Sequence, residues 1–171
     1  MQKNAEARGE QVVIVPVLVV DESSYVAYLM QLRVQLHHEE GKGDMGFSDA
    51  GPDALRAVER ASAAALGEEA TDWRVSCTIL MGEDDPPLQE VDGESLALAA
   101  AVAIYAARFG KKIPEGWVFS ASIGVGRHPL GAVRHIDKKA AVARAAGYRQ
   151  LVVARNCPSV EGIERVQFVR V

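Results

Sequence analysis

The stretch VDGES over residues 91–95, followed by LALAAAVAIYAARF over residues 96–109, decides how the fold is interpreted. A short segment containing Gly93 stands directly before a run that is apolar on nearly every side. Such a run predicts a helix over 93–109 that is buried on several faces, with Gly110 as its C-terminal cap. Ser95 is therefore expected at the start of a buried helix, where backbone N–H groups lack helical partners.

Strands are predicted first, and strands alternate with helices afterwards, which is typical of an α+β or α/β domain. Pro16 in the first strand favours a sheet edge, because proline cannot donate to a ladder. Pro52 and Gly67 are suited to begin and end one helix. The predicted strands are 12–20, 25–37, 73–81, 117–125, 132–136, 151–154 and 166–171. The predicted helices are 52–66, 93–109 and 138–146, with a helical turn at 160–164. A hairpin turn is predicted at 21–24, and loops are predicted at 39–44, 82–87 and 126–131.

Length and composition are those of one globular domain. The chain has 171 residues and a net charge of −4, and we expect a loose arm over 1–11 and one domain over 12–171. A weakly acidic chain with scattered basic residues makes nucleic acid or an anionic membrane surface an unlikely partner. The polar N-terminus carries no apolar targeting segment, and Cys77 and Cys157 lack metal-ligand spacing. We therefore expect a cytoplasmic protein with reduced thiols.

The segment VDGES resembles the nucleophile motif of the proteolytic domain of Lon proteases, in which Asp-Gly-x-Ser opens a long apolar helix. The resemblance continues in order downstream. SASI over 120–123 and GAV over 131–133 resemble two family strands, and KKAAVARAAGYRQLVVARN over 138–156 resembles the lysine-bearing helix, its terminal glycine and the next strand. The similarity spans roughly residues 12–171, and its motifs are most specific over 91–155.

The resemblance implies an α+β, ribosomal-protein-like fold and a Ser–Lys peptidase site. Ser95 and Lys139 are the implied catalytic dyad, and they lie 44 residues apart, close to the family's usual spacing. Ser120 is implied to support the lysine, and Lys138 is the reserve candidate for the base. The backbone N–H groups around Glu94–Ser95 are implied to form the oxyanion hole.

The chemistry of such a site suits these residue types. A serine hydroxyl is a weak nucleophile and needs an adjacent base. A lysine becomes that base when burial and a helix N-terminus disfavour its charged form. The four histidines are then not required.

A Lon-like serine endopeptidase without its own ATPase is the function that we expect, since no Walker A motif is present. Its substrates would be unfolded or short polypeptides, and a partner ATPase or activating protein would deliver them or trigger cleavage. No cofactor and no metal are expected. The family's rings imply a homo-oligomer, which is a hexamer or another self-assembly.

A non-catalytic Lon-like domain is the alternative function. Glu94 stands where the family has proline, and Leu96 and Ala97 stand where it has a small residue and glycine. Such domains also occur in bacterial recombination ATPases, where they assemble rings and contact DNA. A scaffolding or regulatory module with a vestigial dyad is the other form of this alternative.

Structural roles compete with the functional ones at several residues. Ser95 or Asp92 could cap the helix, Lys139 could be a solvated lysine, and Ser120 could bond to backbone. The sequence HHEE over 37–40 disfavours a metal site, because adjacent strand residues point to opposite faces. Trp73 and Trp117 are expected to be core or interface anchors.

Overall fold

A computed structural model describes residues 10–21, 24–48, 50–80, 93–124, 130–131, 134–154 and the backbone of 164–167. It has a mixed α+β architecture. The strands are β1 (Gln11–Asp21), β2 (Val26–His38), β3 (Asp44–Ser48), β4 (Trp73–Leu80), β5 (Trp117–Ser120), β6 (Ser122–Ile123), β7 (Leu130–Gly131), β8 (Gln150–Val153) and β9 (Glu164–Gln167), and the helices are α1 (Pro52–Leu66), α2 (Ala97–Phe109) and α3 (Ile136–Ala145).

The N-terminal half forms a four-stranded sheet in the order β1-β2-β4-β3. Strand β2 pairs antiparallel with both β1 and β4, and β3 pairs with β4 in parallel. Strand β1 is at the edge of this sheet, as Pro16 predicted, and Pro16 stands opposite Gln31.

Helices α1 and α2 pack together on one face of this sheet. Their small residues, such as Ala57, Ala61 and Ala100, are fully buried and let the backbones approach closely. Alternate residues of β1 and β2, including Val15, Val17, Leu32 and Val34, complete this main core. No helix in the described part of the chain combines the length and the apolar character needed to cross a membrane.

Strands β5, β8 and β9 form a second, parallel sheet in the order β5-β8-β9. Helix α3 packs against one face of this sheet. Along β5, Val118 packs with α3 in a second core, and Phe119 packs in the main core with α2. Leu18 of β1 reaches the second core as well. Strand β5 therefore lies between α2 on one side and α3 on the other, and the short pair β6-β7 follows it.

Several predicted boundaries were wrong, and tertiary contacts account for them. The first strand begins at Gln11, inside the predicted arm, and Asp44 begins strand β3 where a loop was expected. Helix α2 begins at Ala97, and α3 begins at Ile136, which was assigned to a strand. The predicted strand 117–125 is divided into β5 and β6. Residues 130–131 form β7 where a loop was expected, and Glu164 lies in β9 where a helical turn was expected.

Candidate active site

The turn that carries Ser95 lies between Gly93 and the first residue of α2. Gly93 has φ +124°, a conformation that favours glycine. Leu96 is the N-cap residue of α2, and its side chain makes no capping hydrogen bond. The alternative in which Ser95 is the N-cap is therefore wrong, and Asp92, the other candidate cap, lies outside the described residues.

Backbone hydrogen bonds fix this turn beside the end of β5. The Ala121 N–H donates to the Ser95 carbonyl over 3.0 Å, and the Leu98 N–H donates to the Ala121 carbonyl over 3.1 Å. Within the described residues, Ser95 hydrogen bonds through this carbonyl and not through its hydroxyl. The partly buried Ser95 side chain thus has no structural partner there.

Lys139 is buried in the first turn of α3, with 4% of its surface exposed. Its backbone N–H donates to the His135 carbonyl over 3.0 Å. Its amine donates to the Ser120 hydroxyl over 3.3 Å, and Ser120 is itself only 1% exposed. Ser120 shares the α3-facing side of β5 with Val118, because alternate residues of a strand face the same way.

Ser95 and Lys139 thus form hydrogen bonds with two consecutive residues of the chain, Ala121 and Ser120. Lys139 bonds to the Ser120 side chain, and Ser95 bonds to the Ala121 backbone. The turn before α2 carries the proposed nucleophile and α3 carries the proposed base, and the two bond to neighbouring residues at the end of β5. The Lys139 amine donates to Ser120, and within the described residues no hydrogen bond joins it to the Ser95 hydroxyl.

Lys138 points elsewhere. Its amine donates to the Tyr25 carbonyl over 2.9 Å and lies 5.1 Å from the centre of the Tyr25 ring. Tyr25 lies in the turn between β1 and β2 and also packs edge-on against His135. Lys138 therefore joins α3 to the β1–β2 hairpin, and Lys139 is the lysine that reaches Ser120.

Two of the three residues that depart from the family pattern, Glu94 and Leu96, contact α1 and the main core. The Glu94 carboxylate is directed to α1, where Arg60 donates to it over 3.1 Å. Leu96 is 5% exposed and packs in the main core. Leu96 is therefore an ordinary core residue.

The turn before α2 contains backbone N–H groups that differ in their hydrogen bonding. The Ala97 N–H donates to the Glu94 carbonyl over 3.1 Å, and the Leu98 N–H donates to the Ala121 carbonyl. Within the described residues, no acceptor takes the N–H groups of Glu94 and Ser95. These two groups are the ones that the sequence predicted for this role.

Sequence reasoning missed Arg60. It lies on α1, and its guanidinium bonds to Glu94 and also to the Ile123 carbonyl over 3.3 Å. In the sequence it is one exposed arginine among several, so no local signal marked it. Its connection to the Ser95 turn depends on how α1 packs against α2.

The remaining candidates have structural surroundings. His38 packs edge-on against Trp73 with 4.9 Å between ring centres, and Trp73 is 7% exposed, as expected of a core anchor. No group of three or more His, Cys, Asp or Glu side chains that could hold a metal ion occurs among the described residues. Cys77 is a buried free thiol, and Cys157 lies outside the described residues.

Comparison of the chain with protein-family models and with curated protein sequences gave no match. The functional interpretation therefore depends on the residues of the site.

Proposed function

We propose that this chain is a Lon-like serine peptidase domain in which Ser95 is the nucleophile and Lys139 the base. The observation that carries the proposal is the buried Lys139 amine on the Ser120 hydroxyl, one residue from the backbone that holds Ser95. Lysine is almost never fully buried without a specific reason, because removing its charge from water is costly. A lysine buried beside a serine-bearing turn supports a catalytic role.

The proposed reaction uses each of these groups. The Ser95 Oγ attacks the carbonyl carbon of a peptide bond, and its proton passes to the neutral Lys139 amine. The mechanism requires this neutral form, because an ammonium ion cannot accept the proton. Lys139 then donates the proton to the departing amine as the C–N bond breaks, and water hydrolyses the acyl-enzyme ester. The N–H groups of Glu94 and Ser95 would stabilise the negative oxygen of each tetrahedral intermediate.

Ser120 has the role of an orienting residue in this mechanism. Its hydroxyl accepts from Lys139 in the substrate-free protein and holds the amine beside the Ser95 turn. Catalytic hydrogen bonds are often long or misaligned before substrate binds and tighten in the complex. A change in the Lys139 side chain when substrate binds would bring the amine to the Ser95 hydroxyl.

The order of elements also supports the Lon-like fold. A helix and a strand, α1 and β4, precede the serine turn and the apolar helix α2, and a strand and the lysine-bearing helix α3 follow. We infer the family's assembly from the same resemblance, namely a hexameric ring that acts on unfolded or short polypeptides with a partner ATPase or activator.

A non-catalytic scaffold is the second candidate function. It is favoured by the Lys139–Ser120 hydrogen bond, which joins α3 to β5, and by the lack of a hydrogen bond from the Ser95 hydroxyl within the described residues. In that case the lysine and both serines would be relics of a peptidase.

Hydrolysis of unfolded casein separates the two candidates. The peptidase proposal predicts that the wild type cleaves casein and that Ser95→Ala and Lys139→Ala each lower the rate by at least about 100-fold. Two matched controls should retain activity. Ser62→Ala removes a buried serine hydroxyl that bonds to the Val58 carbonyl in α1, and Lys138→Ala removes the neighbouring lysine. A wild type that is inert, with variants of equal stability and assembly, would favour the scaffold.

A further inference from the structure

Arg60 joins three separate parts of the chain through one guanidinium nitrogen. Its Nη1 donates to the Glu94 carboxylate over 3.1 Å and to the Ile123 carbonyl over 3.3 Å. Glu94 directly precedes Ser95, and Ile123 belongs to β6, two residues beyond Ala121. Helix α1 is thereby connected to the serine turn and to the strand that follows β5.

We propose that Arg60 is a positioning residue that holds the Ser95 turn in register with β5 and β6. The inference rests on the proposed function, because it assigns Arg60 a part in orienting the Ser95 nucleophile. Arg60 acts through Glu94 and Ile123.

Contacts from outside the turn restrain it. The N-cap residue of α2, Leu96, makes no side-chain capping hydrogen bond, and Gly93, at φ +124°, stands directly before Glu94. The Ala121 hydrogen bond restrains the turn at the Ser95 carbonyl. Arg60 restrains it at Glu94, one residue earlier, so the two contacts together fix both sides of the nucleophile.

The exposure of the ion pair separates positioning from overall stability. The Arg60 and Glu94 side chains are 40% and 38% exposed. Ion pairs in such surroundings add little to the free energy of unfolding, because water and salt screen them. Loss of Arg60 should therefore change the geometry of the Ser95 turn much more than it changes the melting temperature.

The test combines amide hydrogen exchange with steady-state kinetics on Arg60→Gln, Arg60→Lys and Arg56→Gln. Arg56 is the matched control, since it lies one turn earlier on α1, bonds mainly to Asp53 over 3.0 Å, and is 4.0 Å from Glu94. The amides of Leu98 and Ala121 report the pairing of the turn with β5. Peptide hydrolysis reports the placement of the nucleophile.

In Arg60→Gln we expect exchange at both amides to be about tenfold faster, and kcat to fall about tenfold with KM within about twofold of the wild type. Arg60→Lys should recover only part of each loss, because an ammonium ion cannot reproduce the planar guanidinium. Arg56→Gln should stay within about twofold of the wild type throughout.

Unchanged exchange at Leu98 and Ala121 in Arg60→Gln would overturn the inference, and so would faster exchange with an unchanged kcat. Failure of the proposed function has a different signature. In that case wild type and Ser95→Ala are equally inert, while exchange at the two amides still decides whether Arg60 holds the turn.

Discussion

Lys138 and Lys139 are neighbours in the sequence, yet their side chains have opposite surroundings. Lys138 is partly exposed and bonds to the hairpin at Tyr25, whereas Lys139 is buried on Ser120. Consecutive residues on a helix do not face the same way, so the direction of α3 decides which lysine enters the core. The motif predicted Lys139 for the site, with Lys138 in reserve. The direction of each lysine side chain could be seen only in the packed structure.

Cys77 gives a prediction about alkaline stability that is independent of catalysis. It is 1% exposed in β4, and burial raises the pKa of its thiol from 9.0 to about 12. Between these two pH values the unfolded chain loses this proton and the folded chain keeps it. The free energy of unfolding therefore falls as pH rises from 9 towards 12, and this contribution is fully present below pH 9.

Replacement by valine, which cannot ionise, removes this effect. The difference in free energy of unfolding between wild type and Cys77→Val should shift in favour of the variant by about 1.4 kcal/mol per pH unit above pH 9. Urea denaturation of both proteins from pH 8 to pH 11 measures this, and other titrating groups cancel in the difference. A difference that stays constant over this range would contradict the burial argument.

At the scale of elements, local chemistry predicted α1 well. Pro52 begins it and Gly67 ends it, as their backbone preferences require. The edge position of β1 followed from Pro16 in the same way. These features depend on residues within the element, so the sequence alone was sufficient.

The start of α2 could not be predicted from local sequence. The sequence analysis extended the helix back to residue 93, but the Ser95 and Leu98 backbones pair with Ala121, and α2 begins only at Ala97. The same pairing divides β5 from β6. Strand β3 was missed for a related reason, since its partner β4 follows only after the whole of α1.

The start of α3 could not be predicted from local sequence either. His135 adopts φ +58°, a conformation unusual for a residue with a side chain, and helix α3 begins directly after it. Contact with Tyr25, which has φ +56°, accompanies this geometry. Two such residues packed together are not marked by any turn motif in the sequence.

Gly43 provides a prediction at this scale, because it joins the β2–β3 connection to the 3-10 turn at Gly67–Asp72. A Cβ on Gly43 would overlap the Ala70 carbonyl and lie 2.7 Å from the Thr71 Cα. Gly43→Ala should therefore lower the free energy of unfolding by about 2 kcal/mol. Gly46→Ala is the control, since a Cβ there meets nothing within 4 Å, and it should change stability by less than about 0.5 kcal/mol. Equal urea midpoints for the two variants would contradict the close approach at Gly43.

At the scale of the whole molecule, the proposed site is built where two hydrophobic cores meet. Ser95 comes from the side of the main core with α2, and Lys139 comes from the second core with α3. Strand β5 separates the cores and contributes Ser120, with Ala121 directly after it. The site therefore forms only when both faces of β5 are packed, and assembly into a ring stays a prediction from the family resemblance.

The central claim is that Ser95 is a nucleophile activated by Lys139. Covalent labelling with a fluorophosphonate, followed by peptide mass spectrometry, tests it without knowledge of the natural substrate. We predict an adduct on Ser95 that is slowed by at least about 100-fold in Lys139→Met and unchanged in Lys138→Met. Methionine has a similar length without the charge and suits a buried position, so loss of labelling would reflect loss of the base. No adduct on Ser95, or equal labelling in wild type and Lys139→Met, would contradict the claim.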